Sequence, residues 1–376
     1  MTWSSLLKGF THMLYQSATS LDIGYFQVHN KAYQENEDFY ATIPYNEAIM
    51  AKGQAHGLAL SPRKYANALI SHGNKSVGVK IQGLDPTVES KVTNLHKHIK
   101  KGKWLGQKTP EIVVGPDLWE DLDLSIGSEV ILLGQASNGS IASGLYTVKG
   151  LLHSISSHRD KRVIYLNSPT FNNLFFTKAM AHEIAIGRLP ADMTEAQGLT
   201  AIQAIFPDQE VKSWRQLKAN LSRVLELINV TIYFNTGFLF LALGGLLFNM
   251  NLMTVYDRHK EFGTMRAVGM NEISVFWLMI WEAVWLAIAI ITVSTIFTLP
   301  LTAYLEDHGF NISSLVGEFS YQGLTFQPIF HANFGLREFL IPATYLALAM
   351  VGTAIYPAKR AASTDPLTAM KGGVST

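Results

Sequence analysis

Few residues of this chain stand in arrangements that support catalysis. A phosphate-binding loop needs a glycine five residues before a Gly-Lys-Ser/Thr group, so that backbone amides surround the phosphate, and residues 73–76 (Gly-Asn-Lys-Ser) do not fit that pattern. His182-Glu183 has no second histidine four residues later, which excludes the zinc-protease motif. There is no cysteine nucleophile and no Gly-x-Ser-x-Gly sequence. We therefore expect no catalytic residue and no metal site in this chain.

Histidine and lysine residues cluster between positions 96 and 103. His96 and His98 have donor atoms for a metal, but a basic helix at this position favours a solvated surface. The lysines of the cluster are Lys97, Lys100, Lys101 and Lys103. We interpret them as a solvated face, with contact to lipid headgroups as the alternative.

The charged residues with the most informative spacing lie between positions 257 and 271. The chain is uncharged from Leu227 to Tyr256 and then carries a dense group of basic and acidic side chains up to Arg266. We predict a short charged helix on a membrane surface. Gly269 is placed to end this helix, and Asn271 is placed to cap the next one.

Three uncharged segments would place this charged helix at a membrane. They cover residues 227–256, 283–305 and 339–357. At about 1.5 Å per helical residue the first reaches about 45 Å, longer than a hydrocarbon core of about 30 Å. We therefore predict transmembrane helices at about 227–256, 273–305 and 339–357, of which the third is the least apolar.

The average composition conceals this division. The chain has 48% hydrophobic residues, 16% charged residues and a net charge of +1, because a polar first part and an apolar last part are averaged. Residues 1–226 carry charges throughout, which is typical of a globular domain. We expect no nucleic-acid partner, and the absence of cysteine is compatible with any redox compartment.

The distribution of lysine and arginine leaves the orientation open. Residues 257–272 and the tail after Pro357 are basic and 306–336 has no basic residue, so the positive-inside rule places the first loop and the C-terminus in the cytoplasm. Basic residues within 212–223 favour the reverse. With the C-terminus inside, the polar domain lies outside and needs an export signal, and Met1–Gln16 lacks an apolar core of roughly 7–15 residues. Either the domain is cytoplasmic or a leading helix is missing from this chain.

Local patterns in the polar part predict mixed secondary structure. Residues 3–20 can form an amphipathic helix, and apolar alternation at 76–82 followed by helical spacing at 88–102 predicts a strand, a turn and a helix. Further strands are predicted at 23–29, 112–114, 129–134, 145–152, 162–167 and 182–189, with helices from Pro116, at 194–206 and at 213–226. The last helix has no breaker before the first span, so we predict one continuous helix from Ser213 to Tyr256.

The predicted fold class is a membrane protein. It combines an α+β domain of two lobes, one of them β-rich, with a three-helix transmembrane region that has long stalk helices. The predicted parts are an N-terminal stalk helix (1–22), the α+β domain (23–212), and the stalk and transmembrane region (213–376). The last part contains a cytoplasmic charged segment (257–271), an external loop (306–337) and a cytoplasmic tail (358–376).

Three polar residues lie inside the predicted spans. Asn235 and Asn249 are outweighed by the surrounding leucine, isoleucine and phenylalanine. Glu282 lies early in the second span, where a carboxylate is costly and often functional. It either reaches the cytoplasmic interface or pairs with a neighbouring helix.

The charged segment carries a family pattern. It resembles the cytoplasmic coupling segment of MacB/FtsX-type ABC transporter permeases, where Arg, Glu, Gly, Arg and Gly recur at this spacing, and Glu282 matches a glutamate of that family. The residues to which the resemblance assigns ATPase coupling are Arg258, Lys260, Glu261, Phe262, Gly263, Arg266 and Gly269. The ending of the chain is similar to the family's, in which a proline closes the last helix; it includes Pro357, Arg360, Ala361 and Pro366.

The polar domain resembles that of one branch, the LolC/LolE-like permease subunits of the lipoprotein-releasing system. The similar segments are 24–29, 60–63, 83–86 and 113–116. Family members have four membrane helices, the first of them before the segment that resembles residues 5–40, whereas this chain shows three. We expect that first helix to be missing here, which also accounts for the absent export signal.

The resemblance implies a permease subunit without a nucleotide site of its own. In this family two permeases sit on two ABC ATPase subunits, which use ATP and Mg²⁺, and the coupling segment docks on the ATPase. The implied partners are that ATPase, a second permease subunit, either identical or homologous, a lipoprotein or periplasmic chaperone, and membrane lipids. The implied location is the bacterial inner membrane, with the α+β domain in the periplasm.

Two functions are compatible with this resemblance. The first is release or export of lipoproteins or other lipidated substrates, with ATP-driven motion transmitted to the α+β domain through the long helices. The alternative is a membrane signalling or scaffold protein that activates an extracytoplasmic hydrolase by the same motion.

Overall fold

The computed structural model describes residues 2–31, 38–107, 109–177, 180–311, 319–321, 324–326, 329–332 and 335–365. The chain forms two compact units. The first, which we call the α/β unit, consists of His12–Val224 and Ile312–Pro328. The second, which we call the helical unit, consists of Met1–Thr11, Leu225–Asn311 and Ile329–Thr376.

The α/β unit alternates short helices with strands. The helices are α1 (Thr2–Ala18), which begins in the helical unit, α2 (Glu47–Ala55), α3 (Pro86–Glu89), α4 (Pro116–Asp121), α5 (Ser157–Arg162), α6 (Ser168–Phe175), α7 (Glu195–Ile205) and α8 (Trp214–Leu217). The strands are β1 (Phe26–His29), β2 (Ile43–Pro44), β3 (Leu60–His72), β4 (Lys75–Leu84), β5 (Ile99–Gly102), β6 (Glu111–Val114), β7 (Glu129–Gln135), β8 (Ile141–Leu152), β9 (Val163–Asn167), β10 (Met180–Ala181), β11 (Glu183–Ile186) and β12 (Glu210–Ser213). The α+β fold class predicted for this part is confirmed.

Six strands of the main sheet pair in a closed ring. The order is β3, β4, β9, β6, β8 and β7, and β7 pairs back to β3. Alternating residues of these strands point into the ring, where Ile70, Leu132 and Tyr146 join a buried apolar core. Strand β7 shows this alternation, since Val130 and Leu132 are buried while Ile131 and Leu133 are exposed. This ring is the β-rich lobe.

The second lobe extends from β3 through β11, β1 and β12. Its core combines Phe26 and Val28 of β1 with Ile184 of β11 and residues of the helices, including Ile202 of α7. Helix α7 begins at a capping box in which Thr194 and Gln197 satisfy each other's backbone amides. The sequence prediction of a helix at 194–206 is confirmed.

A buried ion pair joins the lobes at β3. The guanidinium of Arg63 lies 2.6 Å from Glu89 and 2.8 Å from Glu183, and the side chain of Arg63 is fully buried. Ser61 and Thr93 also donate to the Glu89 carboxylate. Burial acts to raise the pKa of Glu89, but the Arg63 charge and these hydrogen bonds outweigh it, and the net pKa lies below its ordinary value.

The helical unit is formed mainly by four further helices that lie among the described residues. They are α9 (Ala219–Asp257), α10 (His259–Ala267), α11 (Glu272–His308) and α12 (Leu336–Ala362). Ala219–Asp257, Glu272–His308 and Phe339–Ala362 are long and apolar enough to cross a membrane. The ring pairs Phe240–Tyr345 and Phe248–Tyr356 pack α9 against α12, with centroids 5.6 and 5.8 Å apart.

The described part of the predicted external loop forms short strand pairs. Helix α11 extends to His308 and α12 begins at Leu336. Between them β13 (Phe310–Asn311) pairs with β16 (Ile329–Phe330), and β14 (Phe319–Tyr321) pairs with β15 (Leu324–Phe326). Residues 312–318, 322–323, 327–328 and 333–334 of the predicted loop at 306–337 lie outside the described residues.

The predicted continuous helix from Ser213 to Tyr256 is wrong at its start. Ser213 ends β12 and caps α8, and the buried Trp214 donates its backbone N–H to Tyr25 at the sheet edge. Lys218, with φ −117° and ψ 56°, then interrupts the helix before α9 begins at Ala219. The fixed position of Trp214 in the sheet overrides the helical pattern of the segment.

The predicted helix at 88–102 is also wrong. Helix α3 ends at Glu89, and residues 99–102 pair with β8 as strand β5, so pairing in the sheet overrides the helical spacing of this segment. Strand β3, the longest of the described strands, was not predicted. Its first half contains Pro62, Arg63 and Lys64, which are typical of turns and surfaces but are buried here.

The prediction that Pro357 closes the last helix is wrong. Pro357 lies inside α12, which continues to Ala362, so the first residues of the predicted tail at 358–376 are helical. A proline removes one N–H donor but is compatible with a helix when neighbouring helices support it. Pro357 and Ala358 are buried among such neighbours.

Candidate functional site

Helix α10 is the charged helix predicted on the membrane surface. A single non-helical residue, Arg258 (φ −97°, ψ 14°), separates it from α9. The backbone N–H of Arg258 still donates to Thr254, and its carbonyl accepts from Phe262, at 3.1 Å in both cases. The two helices therefore meet at a hydrogen-bonded corner. The prediction of a short charged helix is confirmed.

Phe262 anchors the inner face of α10. Its side chain is fully buried, and the adjacent Gly263 is also buried. The surrounding cluster comes from the other helices and includes Val255 of α9, Met279 of α11 and Ala358 of α12. Burying a phenylalanine contributes roughly 1.5–3 kcal/mol, so this contact fixes α10 on the helical unit.

Arg258 ties the start of α10 to the second apolar helix. Its Nε donates to Glu261 at 2.8 Å, and its Nη1 donates to both carboxylate oxygens of Glu282 at 3.1 and 3.0 Å. Its guanidinium also lies 5.3 Å from the centroid of the Phe262 ring. The hydrogen bond to Glu261, followed by that to Glu282, raises the pKa of Arg258 above its ordinary value. Of the alternatives for Glu282, the structure shows the pairing.

The end of α10 is a tightly hydrogen-bonded turn. Gly269 has a φ of 104°, its N–H donates to Arg266, and the N–H of Met270 donates to Met265. This pair of bonds is the Schellman arrangement, which favours glycine at the left-handed position. Asn271 then caps α11 by accepting from Ser274 at 2.7 Å. Both sequence predictions for Gly269 and Asn271 are confirmed.

A second ion pair spans this turn. Arg266 Nη2 donates to Glu272 at 2.9 Å, and Glu272 lies in the first turn of α11. An acidic residue in the first turn of α11 also interacts favourably with the positive end of the helix dipole. Arg266 and Glu272 thus connect α10 to α11, as Arg258 and Glu282 do at the other end.

The outer face of α10 is open. Lys260, Glu261 and Thr264 are exposed, and Val268 in the following turn is 85% exposed. Glu261, Thr264, Met265, Val268 and Met270 line an open groove of about 720 Å³. Helix α10 is therefore packed on one face and exposed on the other.

The C-terminal residues singled out in the sequence lie beside this site. Ala361 is fully buried in the same apolar cluster as Phe262. Arg360 is exposed and its guanidinium lies 5.9 Å from the centroid of the Tyr256 ring. Pro366 lies outside the described residues.

The polar residues inside the helices occupy different environments. Asn235 and Asn249 are exposed on α9. Asn251, which the sequence reasoning did not select, donates to Thr353 of α12 at 3.4 Å. The sequence indicates this contact only weakly, because Asn249 and Asn251 are two residues apart and differ only in the side of the helix on which they lie. Within the described ranges, no group of three or more His, Asp or Glu residues is placed to hold a metal ion.

Comparison with known families addresses the part of the chain that carries this site. Residues 224–366 match the family model described as FtsX-like permease C-terminal. These residues are similar to FtsX-like permease domains. This region contains α10, the Arg258–Glu282 contact and the cluster around Phe262. The resemblance to MacB/FtsX-type permeases is thereby confirmed.

Similarity to a known protein extends over more of the chain than the family model does. The protein is 21% identical over 326 residues to the lipoprotein-releasing system transmembrane protein LolE of Haemophilus influenzae (strain ATCC 51907 / DSM 11121 / KW20 / Rd), an alignment that covers 82% of this chain and 76% of that protein. The FtsX-like domain is thus accompanied by similarity outside it.

Two solved structures show a lower level of similarity. One is the periplasmic region of MacB from Actinobacillus actinomycetemcomitans, with 12% identity and a TM-score of 0.38 over 52% of this chain and 92% of that chain. The other is the extracellular domain of the noncanonic ABC-type transporter YknZ from Gram-positive bacteria, with 13% identity and a TM-score of 0.36 over 50% of this chain and 99% of that chain.

Proposed function

We propose that this permease couples ATP hydrolysis by a separate ABC ATPase subunit to motion of its α/β unit. The observation that carries the proposal is the construction of α10, which is fixed to the helical unit by Phe262 and Arg258 and open on its outer face. A push on such a helix is passed to the helices that hold it, because a packed core deforms little.

Helix α9 supplies a path for that motion. It is an unbroken helix of 39 residues, about 58 Å long at about 1.5 Å per residue. A continuous helix of this length transmits displacement along its axis. Because the helix is interrupted at Lys218, α9 is shorter at its N-terminal end than the helix predicted from Ser213. Its length still suffices to cross a membrane.

We propose lipidated molecules as the substrates. Support comes from the similarity to LolE, whose name describes a lipoprotein-releasing system. The proposed location is the bacterial inner membrane, with the α/β unit in the periplasm and α10 in the cytoplasm.

Reconstitution tests this function. The full chain is purified in detergent from its own cells, the ATPase that accompanies it is identified, and both are placed in vesicles that carry a lipidated reporter protein. We expect release of the reporter only with ATP and Mg²⁺, and none with a hydrolysis-deficient ATPase. The proposal fails when no ABC ATPase accompanies the chain. Normal lipoprotein release in depleted cells, with an external hydrolase bound to the α/β unit, would support the signalling alternative instead.

A further inference from the structure

Strand β5 forms one edge of the main sheet and carries an excess of positive charge. It is the last strand in the order of that sheet, and it pairs with β8 on its inner side. Four exposed lysines lie on the strand and directly beside it, and we call them the basic edge: Lys97, Lys100, Lys101 and Lys103. In the part of the chain that the structure describes, no carboxylate lies within ion-pair distance of any of the four.

The opposite edge of the same sheet shows that protection of an edge does not require this excess. Strand β12 lies at that edge, and its Lys212 forms an ion pair with Glu210 at 3.1 Å. Charged side chains at an edge discourage pairing with another strand, and the pair on β12 provides them without net charge. Lysines that lie close together repel each other, so the basic edge costs stability unless an anionic surface faces it.

An exposed aliphatic side chain lies beside the basic edge. Ile126 is 47% exposed, and its Cδ1 atom lies 2.8 Å from the position that a Cβ atom would take at Gly102 of β5. The adjacent Gly127 donates its N–H to Val148 at 2.8 Å, which holds this turn against β8. Protein segments that lie on a membrane surface combine basic side chains with apolar ones that enter the headgroup region. The basic edge with Ile126 offers both kinds of group.

The basic edge is tied to the segment that follows α1. The N–H of Asn94 donates to the carbonyl of Ser20 at 2.6 Å, and Leu21 and Ile99 pack against the same apolar cluster. Helix α1 is the helix by which the chain passes from the helical unit, which contains the apolar spans, into the α/β unit. Only a short length of chain therefore separates the anchor of the basic edge from the part of the protein that crosses the membrane.

We propose that the basic edge and Ile126 bind the anionic phospholipid surface of the membrane, with the four ammonium groups among the lipid phosphates and the isoleucine at the headgroup boundary. Each lysine near an anionic membrane surface strengthens binding about fivefold, so four of them together form an effective contact. The contact holds the α/β unit at the lipid surface. The inference goes beyond the proposed function, because it requires neither an ATPase nor a particular substrate.

The full chain reconstituted in lipid vesicles allows this contact to be measured. Because the sequence contains no cysteine, a single fluorescent label can be attached at Ser125→Cys, an exposed position that leaves Ile126 and the lysines intact. A quencher on the lipid headgroups then reports whether the label lies at the membrane surface. Asn138→Cys is the control label, since Asn138 is exposed in the turn before β8 whereas β5 pairs with the far end of that strand.

Charge variants of the labelled chain test the lysines. Lys100→Glu/Lys101→Glu reverses two charges of the basic edge, and Lys100→Arg/Lys101→Arg keeps them. The single variant Lys101→Glu is compared with Lys52→Glu, which makes the same change of charge at an exposed position of α2. Thermal unfolding of the full chain shows whether each variant remains folded. Vesicles consist of phosphatidylcholine alone or of phosphatidylcholine mixed with phosphatidylglycerol.

We expect quenching at Ser125→Cys to exceed that at Asn138→Cys at least about threefold in vesicles that contain phosphatidylglycerol, and to fall as the salt concentration rises. Lys100→Glu/Lys101→Glu should remove this excess and Lys101→Glu should reduce it, whereas the arginine variant and Lys52→Glu should keep it.

Equal quenching at the two labels, or an excess that persists after charge reversal in a folded chain, overturns the inference. Crosslinks from the basic edge to an acidic protein in cells, without quenching by lipid, also overturn it. The proposed function is unaffected by either result, because the measurement involves no ATPase and no lipidated substrate.

Discussion

Arg258 and Glu282 form an ion pair between the corner of α10 and the second apolar helix. One guanidinium nitrogen of Arg258 lies 3.1 and 3.0 Å from the two carboxylate oxygens of Glu282. The side chain of Glu282 is 41% exposed. An ionised glutamate within a predicted span is costly by itself. The pairing gives this residue a partner and gives α10 a fixed direction.

Removing the charge of Glu282 tests this positioning role. For Glu282→Gln we expect the ATPase to stay bound while ATP-driven release of a lipidated reporter falls about tenfold, the effect of losing about 1.4 kcal/mol of a charge-assisted contact. Reconstituted vesicles provide the measurement, and Asn249→Ala on the exposed face of α9 is the control. Partial recovery in Arg258→Glu/Glu282→Arg would support the pairing, whereas unchanged release in Glu282→Gln would refute it.

Truncation of Phe262 tests the anchor of α10. Phe262→Ala leaves a cavity in the apolar cluster, and a buried phenylalanine typically costs about 3–5 kcal/mol when replaced by alanine. We expect a lower unfolding temperature of the full chain in detergent and a loss of coupled release. Thr264→Ala, on the exposed face of the same helix, is the control for stability and should leave the unfolding temperature unchanged. An equal loss of thermal stability in the two variants would show that Phe262 is no anchor.

The ion pair inside the α/β unit predicts a large stability effect. Glu89→Gln leaves the buried guanidinium of Arg63 with Glu183 as its remaining carboxylate partner, and removal of one partner from a buried pair costs about 3–5 kcal/mol. Denaturant unfolding followed in the full chain measures this loss. The exposed Glu120→Gln is the control and should change the free energy of unfolding by less than about 0.5 kcal/mol.

Buried histidines predict acid sensitivity of the same unit. Burial lowers the pKa of His29 and of His182 below the ordinary 6.5, and the Nδ1 of His182 accepts a hydrogen bond from Tyr65, which requires the neutral ring. The unfolded chain then binds more protons than the folded chain below pH 6.5, so stability is present above that pH and falls as the pH drops towards the folded-state pKa values.

Unfolding measured between pH 7.5 and 5.5 tests this dependence. The slope contributed by each histidine reaches at most about 1.4 kcal/mol per pH unit. His182→Asn keeps an acceptor near the Tyr65 N–H and removes the titrating group, so we expect a shallower slope. His158→Asn, at an exposed position, should leave the slope as in the wild type. A steeper slope in His182→Asn would contradict this account.

The sequence predicted those features whose causes are local. The charged helix, its glycine end and the Asn271 cap follow from backbone preferences within a few residues, and the apolar helices follow from length and composition. The helix expected at 88–102 is wrong because residues 99–102 pair with strand β8, a contact between residues far apart in the chain. Apolar spacing alone does not contain that information.

The position of the candidate site in the chain could be predicted from the sequence. The pairing and exposure of its side chains could not. Charge and spacing drew attention to Arg258 and Arg266, yet the structure shows both arginines paired within the chain. Val268 and Met270 appeared in the sequence as ordinary apolar residues beside a membrane span. Their exposure depends on which face of α10 packs on the cluster around Phe262, and that packing involves residues of the other helices.

Site-specific photocrosslinking from α10 tests the central claim, that this helix docks a separate ABC ATPase. A photoreactive residue is placed at the exposed Thr264 of the full chain in its own cells, with a second variant labelled at the exposed Gln54 of the α/β unit as control. We predict that mass spectrometry identifies an ABC ATPase attached at Thr264 and none at Gln54. Crosslinks from Thr264 to lipid or to other proteins alone, with the chain folded and expressed, would contradict the account.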